Sequence, residues 1–152
     1  LEIMTFSKAF QDGVSQREVL RFLVSRYVAS HGWSPPSISE TDASWEEIAL
    51  GDIDPEVSML ALSKGTIVGA STGWLEDQAL EVQWTYGSGT TAEQIPIIHA
   101  LLTSQFQAAH SRNAKRASME CDSTEQALLI VVKGFKIISS ESWKRFRYLL
   151  PK

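Results

Sequence analysis

The sequence predicts an α/β fold of the α+β kind, in which a mixed, mostly antiparallel sheet is flanked by helices. Three strand-like runs follow one another at 57–62, 66–74 and 79–86. A small polar loop, an amphipathic helix and a short strand-like run come next, and this order indicates a crossover connection. The pair Gly134-Phe135 then precedes two final strand-like runs. A meander joined to such a crossover is typical of a cofactor-binding domain.

The composition indicates one globular domain. A chain of 152 residues fits a single domain spanning 1–152, and 43% hydrophobic with 21% charged residues is ordinary for a soluble protein. The formal net charge of -4 argues against a dedicated nucleic-acid binder, which is usually basic. No run is long enough to span a membrane, and the N-terminus does not have the pattern of a signal peptide.

The scarcity of cysteine and histidine limits the chemistry further. Cys121 is the only cysteine, which excludes an internal disulfide and fits a cytoplasmic, reducing location. The histidines His31, His99 and His110 are scattered, and the last two stand three helical turns apart. We therefore expect no metal site.

The first third of the chain is predicted to be mainly helical. Residues 3–10 favour a first strand, and Ser15 begins a helix whose apolar residues recur at helical spacing. A short helix stops at Gly51. Three helix starts carry the S-x-x-E/Q pattern of a capping box. They are Ser15 with Glu18, Ser44 with Glu47, and Ser123 with Gln126.

The strands at 57–62 and 66–74 flank Ser63-Lys64-Gly65, which predicts a hairpin with glycine in the turn. The third strand shows the clearest alternation, which predicts one buried and one polar face. Its apolar positions are Leu80, Val82, Trp84 and Tyr86, and its polar positions are Glu81, Gln83 and Thr85.

The last elements follow from helical periodicity and glycine stops. An amphipathic helix is predicted over about 93–111, with Pro96 in its first turns. A strand at 117–121 and a helix at 124–132 come next, and Gly134 ends that helix. The runs 136–139 and 143–150 are predicted to pair as a terminal hairpin.

From about Val57 to Leu150 the chain resembles the GNAT superfamily, the acyl-CoA N-acyltransferases. The strongest likeness is the segment 123–135, which ends in Gly134-Phe135. The resemblance implies that the fourth strand and the strand after the long helix splay apart around acetyl-CoA or another acyl-CoA. It also implies that the cofactor's pyrophosphate sits at the next helix N-terminus, where backbone N–H groups favour anions.

Several positions depart from the family's pattern. The candidate phosphate loop is Gly87-Ser88-Gly89-Thr90-Thr91, which has its glycines early and no basic residue, and Glu93 follows it. The two glycines could shape an anion nest, or simply a strand-to-helix turn. The family's tyrosine position falls on Ile130 and its asparagine position on Ser123.

The resemblance implies specific roles in catalysis and cofactor binding. Glu81 would be the general base, and the alternative is a solvated strand carboxylate. Tyr86 would replace the missing acid if its hydroxyl reaches the CoA sulfur, and otherwise it is a core or rim aromatic. The backbone of Gln83, Trp84 and Thr85 would align the thioester, and Ser123 would contact the cofactor. The Trp84 side chain favours packing, and an aromatic acceptor pocket near Trp33 and Trp45 is a further hypothesis.

Three functions remain open at this stage. The first is an N-acetyltransferase acting on a primary amine of a small molecule or peptide. The second is a catalytically inactive GNAT-fold domain with a binding or structural role, such as one half of a tandem protein. The third is another α+β ligand-binding domain. The family also allows a homodimer built through terminal strands.

Overall fold

The computed structural model describes residues 1–137 and 139–141. Its strands are β1 (Glu2–Thr5), β2 (Met59–Ser63), β3 (Thr66–Glu76), β4 (Ala79–Gly87) and β5 (Arg116–Met119). Its helices are α1 (Phe6–Gln11), α2 (Gln16–Ser30), α3 (Ser44–Leu50), α4 (Thr91–His110) and α5 (Gln126–Lys133).

The strands form one sheet in the order β1-β2-β3-β4-β5. Neighbouring strands are antiparallel except β4 and β5, which run parallel. A parallel pair needs a crossover, and α4 supplies it. The predicted meander corresponds to β2, β3 and β4, so the mixed, mostly antiparallel sheet flanked by helices is confirmed.

The hairpin between β2 and β3 has the predicted turn. Lys64 and Gly65 both have positive φ, at 51° and 77°. Two central residues of positive φ are the mark of a turn whose twist matches that of the flanking strands. This turn therefore sets the pairing of the strand ends beside it, and the register of β2 against β3 shifts between Ala61 and Leu62.

The N-terminal strand is shorter than the sequence predicts. The run 3–10 was expected to be one strand, but β1 ends at Thr5 and α1 begins at Phe6. The reason is local, because the Thr5 Oγ1 accepts the Lys8 N–H (3.0 Å) and so caps a helix. Phe6 and Ala9 are then buried from α1.

Only one of the three predicted capping pairs lies at a helix start as expected. Ser15 caps α2, and its Oγ accepts the Glu18 N–H (3.4 Å). Ser44 instead lies inside α3, and Ser123 precedes the N-cap of α5, which is Glu125. Aspartates near these two starts, rather than the serines, accept the nearby backbone N–H groups.

A β-bulge in β4 overturns the simple alternation predicted for this strand. Gly73 of β3 lies opposite Val82, whereas Ser71 lies opposite Thr85. Two steps along β3 therefore match three steps along β4, and the extra residue shifts the later side chains to the other face.

The bulge divides the apolar residues of β4 between two cores. Leu80 and Val82 pack on one face with residues of α4 and α5. Trp84 and Tyr86 pack on the opposite face with residues of α1 and α2. The prediction of a single buried face was wrong from Trp84 onward, since sequence alternation alone does not reveal a bulge.

The predicted terminal hairpin falls mostly outside the described residues. The run 143–150 lies wholly outside them, and so does 138. Lys136 and Ile137 follow the end of α5 without strand structure.

Candidate functional site

The strands β4 and β5 separate partway along β4. They pair only from Ala79–Val82 to Arg116–Met119, where β5 ends, while β4 continues to Gly87. Within the described part of the chain, the last five residues of β4 therefore have no strand on this side. The splayed pair that the sequence resemblance implies is confirmed.

A cavity of about 210 Å³ lies where β4 has lost its partner. Four elements form its wall: the C-terminal half of α2, the end of β4, the start of α4 and the start of α5. The lining residues are Arg26, Ala29, Ser30, Thr85, Tyr86, Thr91, Gln94, Ile98, Thr124, Glu125, Gln126, Ala127 and Leu128. Arg26 is the only Lys or Arg in this described wall.

Tyr86 places a phenol in the cavity wall. Its side chain is only 7% exposed, and its hydroxyl lies 3.5 Å from the Ser30 Oγ. Ser30 donates its single hydroxyl proton to the Tyr27 carbonyl (3.0 Å), so its oxygen accepts the proton of Tyr86. Burial raises the pKa of the Tyr86 phenol well above its usual range. Tyr86 is therefore a protonated donor at neutral pH.

Glu125 places a half-buried carboxylate in the same wall. Its Oε2 accepts the Asp122 N–H (2.7 Å). Burial raises the pKa of Glu125, the Asp122 N–H opposes that shift, and the Asp122 charge adds to it. Nothing in the sequence marks Glu125 as a site residue, because the S-x-x-Q pattern predicts that the helix starts at Ser123 with Gln126.

Glu81 lies just before the strands separate. It is half-buried and stands opposite Trp74 on β3 and Ser118 on β5. It is not among the residues that line the described cavity. Its role as general base stays a prediction.

Gln83, Trp84 and Thr85 form the part of β4 expected to align a thioester. The Gln83 Nε2 donates to the Ile48 carbonyl of α3 (3.0 Å), and the Trp84 N–H donates to the Thr72 Oγ1 (3.2 Å). The Gln83 side chain and the Trp84 N–H are therefore engaged within the protein. From Gln83 onward the backbone edge of β4 that faces away from β3 has no partner in β5, and this edge borders the cavity.

Thr85 belongs to a buried polar network that holds the end of β4. Its hydroxyl lies 2.8 Å from the Ser71 Oγ, which donates to the Gln105 Oε1 (2.7 Å). The Gln105 Nε2 in turn donates to the Val57 carbonyl (2.9 Å). All three side chains are at most 4% exposed, so this network fixes β4 against α4.

Trp84 stands in an aromatic cluster between α2, α3 and β4. Its ring stacks on Tyr27 (centroids 4.7 Å apart), and Trp45 meets Tyr27 edge-on at 5.6 Å. His31 stacks on Tyr27 with ring centroids 3.9 Å apart, and its ring is tilted relative to Trp33 at 5.6 Å. The cluster adjoins Tyr86, whose ring lies 6.2 Å from Trp84.

The start of α4 is closed by its own side chains. The Thr90 Oγ1 accepts the Glu93 N–H (3.3 Å), and the Glu93 Oε2 accepts the Thr90 N–H (2.7 Å). This is a complete capping box, and its hydrogen bonds from Thr90 lower the pKa of Glu93. The carboxylate therefore occupies a backbone donor that the sequence resemblance reserved for a phosphate.

Two further residues of the predicted phosphate loop, Gly87 and Ser88, are bound to β3. Gly87 is buried and paired with Gly69 in the sheet. The Ser88 N–H donates to the Val68 carbonyl (2.8 Å). Gly89 has φ +90°, and a Cβ built there would clash with the Glu93 carboxylate, which lies directly against this glycine.

Thr91, Thr124 and Ser123 differ in their relation to the cavity. Thr91 and Thr124 line it, whereas Ser123 is exposed and is not in the described wall. The Thr124 N–H and hydroxyl both reach the Asp122 Oδ1, at 2.8 and 2.7 Å. Ile130, at the family's tyrosine position, is 52% exposed on α5.

Three further observations concern other sites in the described residues. No group of three His, Cys, Asp or Glu side chains there is arranged to hold a metal ion. None of the described helices combines the length and apolar character needed to cross a membrane. Burial raises the pKa of Cys121 to about 11, so its thiol stays protonated at neutral pH.

Solved structures share this architecture along almost the whole chain. An aminoglycoside acetyltransferase from an uncultured soil metagenomic sample, in complex with sisomicin, is 15% identical with a TM-score of 0.62, covering 99% of this chain and 95% of its own. A ribosomal-protein-alanine N-acetyltransferase from Brucella melitensis biovar Abortus is 13% identical with a TM-score of 0.66, covering 97% and 96%. The chain has the GNAT fold.

The GNAT fold confirms the architecture that the sequence resemblance implies. Identities of this size show the fold and leave the chemistry to the residues of this chain. No family model and no curated protein sequence matches the chain. The part of this fold that bears on function is the gap between β4 and β5, where the cavity lies.

Proposed function

We propose that this chain is an N-acyltransferase that moves an acyl group from an acyl-CoA thioester, most simply acetyl-CoA, to a primary amine. The observation that supports the proposal is the gap beyond Val82, which opens into a cavity with a phenol and a carboxylate in its wall. Solved structures of the same fold that are named as acetyltransferases support it at the level of fold.

The thioester would lie along the unpaired edge of β4. The backbone of Gln83, Trp84 and Thr85 would supply hydrogen-bonding groups there, as an additional strand would need, apart from the Trp84 N–H, which donates to Thr72. A backbone N–H aimed at the thioester carbonyl stabilises the negative charge that develops on its oxygen. Holding the amine against the carbonyl carbon supplies a second share of the acceleration through proximity.

Two side chains of β4 would carry out the two proton transfers. Tyr86 is a buried donor and would give its proton to the sulfur as the C–S bond breaks. Glu81, half-buried on β4 just before the gap, is retained from the sequence as a candidate base acting through water.

The two parts of a CoA molecule fit the site unequally. The β4 edge suits the amide groups of the pantetheine arm. The start of α4 suits the pyrophosphate poorly, because Glu93 and Val68 already take the N–H groups of Thr90 and Ser88. Thr91 and Arg26 in the cavity wall remain as groups able to contact a phosphate. We therefore expect the thioester and pantetheine arm to supply most of the affinity.

The acceptor is proposed to be a primary amine of a small molecule or peptide. One structure of the same fold is an aminoglycoside acetyltransferase bound to sisomicin, and another is named for the alanine of a ribosomal protein. The net charge of -4 favours a cationic acceptor over a nucleic acid. A cytoplasmic location and a homodimer stay part of the proposal.

A second candidate is a GNAT-fold domain that binds without transferring. Two observations favour it: Glu93 seated on the Thr90 N–H, and exposed Ile130 where the family has a tyrosine. Such a domain would bind another ligand in the gap or pair with a second domain.

Release of free thiol from acetyl-CoA separates the two candidates. The protein is incubated with acetyl-CoA and a panel of primary amines, and thiol is measured with and without amine. Amine-dependent release that is lowered in Glu81→Gln supports both the function and the predicted base. Release that Glu81→Gln leaves unchanged removes Glu81 from the mechanism, and no release with any amine contradicts the transferase.

A further inference from the structure

Glu125 and Tyr86 reach the same cavity from different elements. Tyr86 comes from β4 after the bulge, and Glu125 comes from the start of α5, across the gap that β5 leaves. One is a donor held in its protonated form, and the other is a carboxylate. An acid and a base facing one cavity is the arrangement that a proton-coupled group transfer needs.

The carboxylate of Glu125 is not used to cap its own helix. Glu125 is the N-cap residue of α5, yet its side chain makes no capping hydrogen bond to that helix. It turns back instead, and its Oε2 accepts the Asp122 N–H (2.7 Å). A carboxylate has two oxygens, and among the described residues Oε1 has no hydrogen-bond partner.

Titratable and charged groups surround Glu125 on three sides. Cys121 and Asp122 precede it in the same loop, Arg26 and His31 belong to α2 and its end, and Tyr86 faces from β4. Burial and the negative Asp122 raise the pKa of Glu125, while His31 acts in the opposite direction. A carboxylate made more basic in this way accepts a proton more readily near neutral pH.

Building on the proposed function, we propose that Glu125, and not Glu81, is the general base that takes the proton of the attacking amine. The amine nitrogen forms a bond to the thioester carbonyl carbon, and its surplus proton moves to the Glu125 Oε1. The C–S bond then breaks with its electron pair on sulfur, and the phenolic proton of Tyr86 neutralises the thiolate. The proton on Glu125 returns to the Tyr86 phenolate through solvent, so that amide and thiol are the only products.

The test compares Glu125→Gln with Glu120→Gln. Glu120 is exposed in the loop that leads to Glu125, and it is not in the described cavity wall. The glutamine of Glu125→Gln keeps an oxygen for the Asp122 N–H, which preserves the loop. Steady-state kinetics use an amine that stays unprotonated over the pH range, so that the acceptor itself does not titrate.

The expected result is a fall in kcat/KM of about 10²–10⁴-fold in Glu125→Gln and an unchanged value in Glu120→Gln. The donor KM should be similar in all three proteins. As the pH is lowered, the kcat/KM of the wild type should fall along a single titration curve, because Glu125 becomes protonated. The kcat/KM of Glu125→Gln should not show this fall.

Glu125→Ala gives a second measurement that does not rely on the glutamine variant. Formate supplied in solution should restore part of its rate, because formate returns a base but does not rebuild a loop. Unchanged kinetics in Glu125→Gln, an intact acid limb, or no rescue of Glu125→Ala would overturn the proposal. If the wild type transfers to no amine, the proposed function itself is wrong, and that result is distinct from these.

Discussion

The two ends of the cleft differ in how much of their hydrogen bonding is left for a ligand. At the thioester end, beyond Val82, β4 has an unpaired edge, and Tyr86 and Glu125 line the cavity beside it. At the phosphate end, at the start of α4, Glu93 and the Val68 carbonyl already occupy backbone donors. At the first end the strand edge is left for a ligand, whereas at the second the protein itself already uses the N–H groups of Ser88, Thr90 and Glu93.

The strand separation typical of the fold is therefore present in this protein, whereas the neighbouring anion site at the start of α4 is altered. The strand separation is set by where β5 ends and by the bulge in β4, both of which belong to the sheet. The anion site depends on a few loop residues, and a single first-turn glutamate already takes one of its backbone donors. The following substitutions act on one end and leave the other intact.

The largest effect is expected from Tyr86→Phe at the thioester end. Loss of a general acid lowers the transfer rate by about 10²–10⁴-fold. Tyr27→Phe is the matched control, because it changes another phenol in the adjoining aromatic cluster and keeps the backbone carbonyl that binds Ser30. Equal rates in both variants would show that Tyr86 only packs.

Thr85→Val tests whether the thioester end is held rigidly. The Ser71 hydroxyl donates to Gln105, so Thr85 is the donor to Ser71, and valine leaves that buried oxygen unpaired. We expect the free energy of unfolding in urea to fall by about 1–3 kcal/mol.

The same substitution at the phosphate end, Thr91→Val, serves as the comparison. Thr91 is exposed, so its free energy of unfolding should change by less than about 0.5 kcal/mol. Similar losses in the two variants would contradict a special role for the buried network in holding the end of β4.

Glu93→Ala should improve binding at the phosphate end. It frees the Thr90 N–H and removes a negative charge, and a hydrogen bond to a charged group contributes roughly 1.5–3 kcal/mol. We expect calorimetry to show CoA binding about tenfold tighter, since about 1.4 kcal/mol corresponds to a factor of ten. Binding of S-acetylpantetheine, which has no pyrophosphate, should stay the same.

Two further variants control this result. Glu93→Gln removes the charge but keeps an acceptor on the Thr90 N–H, so it should give a smaller gain. Glu18→Ala removes the corresponding first-turn acid of α2, which Ser15 caps in a similar way, and should not change CoA binding. Weaker CoA binding by Glu93→Ala would mean that Glu93 helps to build the site.

The smallest effect concerns the stability of Glu125→Gln. Because the folded protein raises the pKa of this carboxyl, its ionised form is disfavoured by folding at pH values above its unfolded pKa. The free energy of unfolding of Glu125→Gln should therefore be slightly higher than that of the wild type at pH 7, and this difference should vanish towards pH 4. Urea titrations at several pH values measure the difference. A constant or reversed difference would contradict a Glu125 carboxyl whose pKa is raised by folding.

Much of the fold could be predicted because its signals are local and periodic. The strand alternation, the Lys64-Gly65 turn and the amphipathic α4 each follow from spacing in the sequence. The bulge in β4 could not be predicted, because it depends on how β3 pairs with it. It decides that Trp84 and Tyr86 face α2 rather than α4.

The candidate site was harder to predict than the fold. Tyr86 follows from its place at the end of β4, but Glu125 belongs to no motif, and its partial burial results from tertiary packing around the cavity. Thr90 and Glu93 also have the spacing of a capping box, but the sequence analysis placed them in and beside a phosphate loop and did not predict this cap. In the structure the Glu93 carboxylate accepts the Thr90 N–H and so caps its own helix.

The most direct test of the central claim is calorimetric titration of the wild-type protein with acetyl-CoA and with S-acetylpantetheine. If the thioester end carries the affinity, both ligands should bind with dissociation constants within about tenfold of each other. Binding of acetyl-CoA that is a hundredfold tighter would show that the start of α4 still holds the pyrophosphate. Binding of neither ligand at millimolar concentration would contradict a thioester site in the gap.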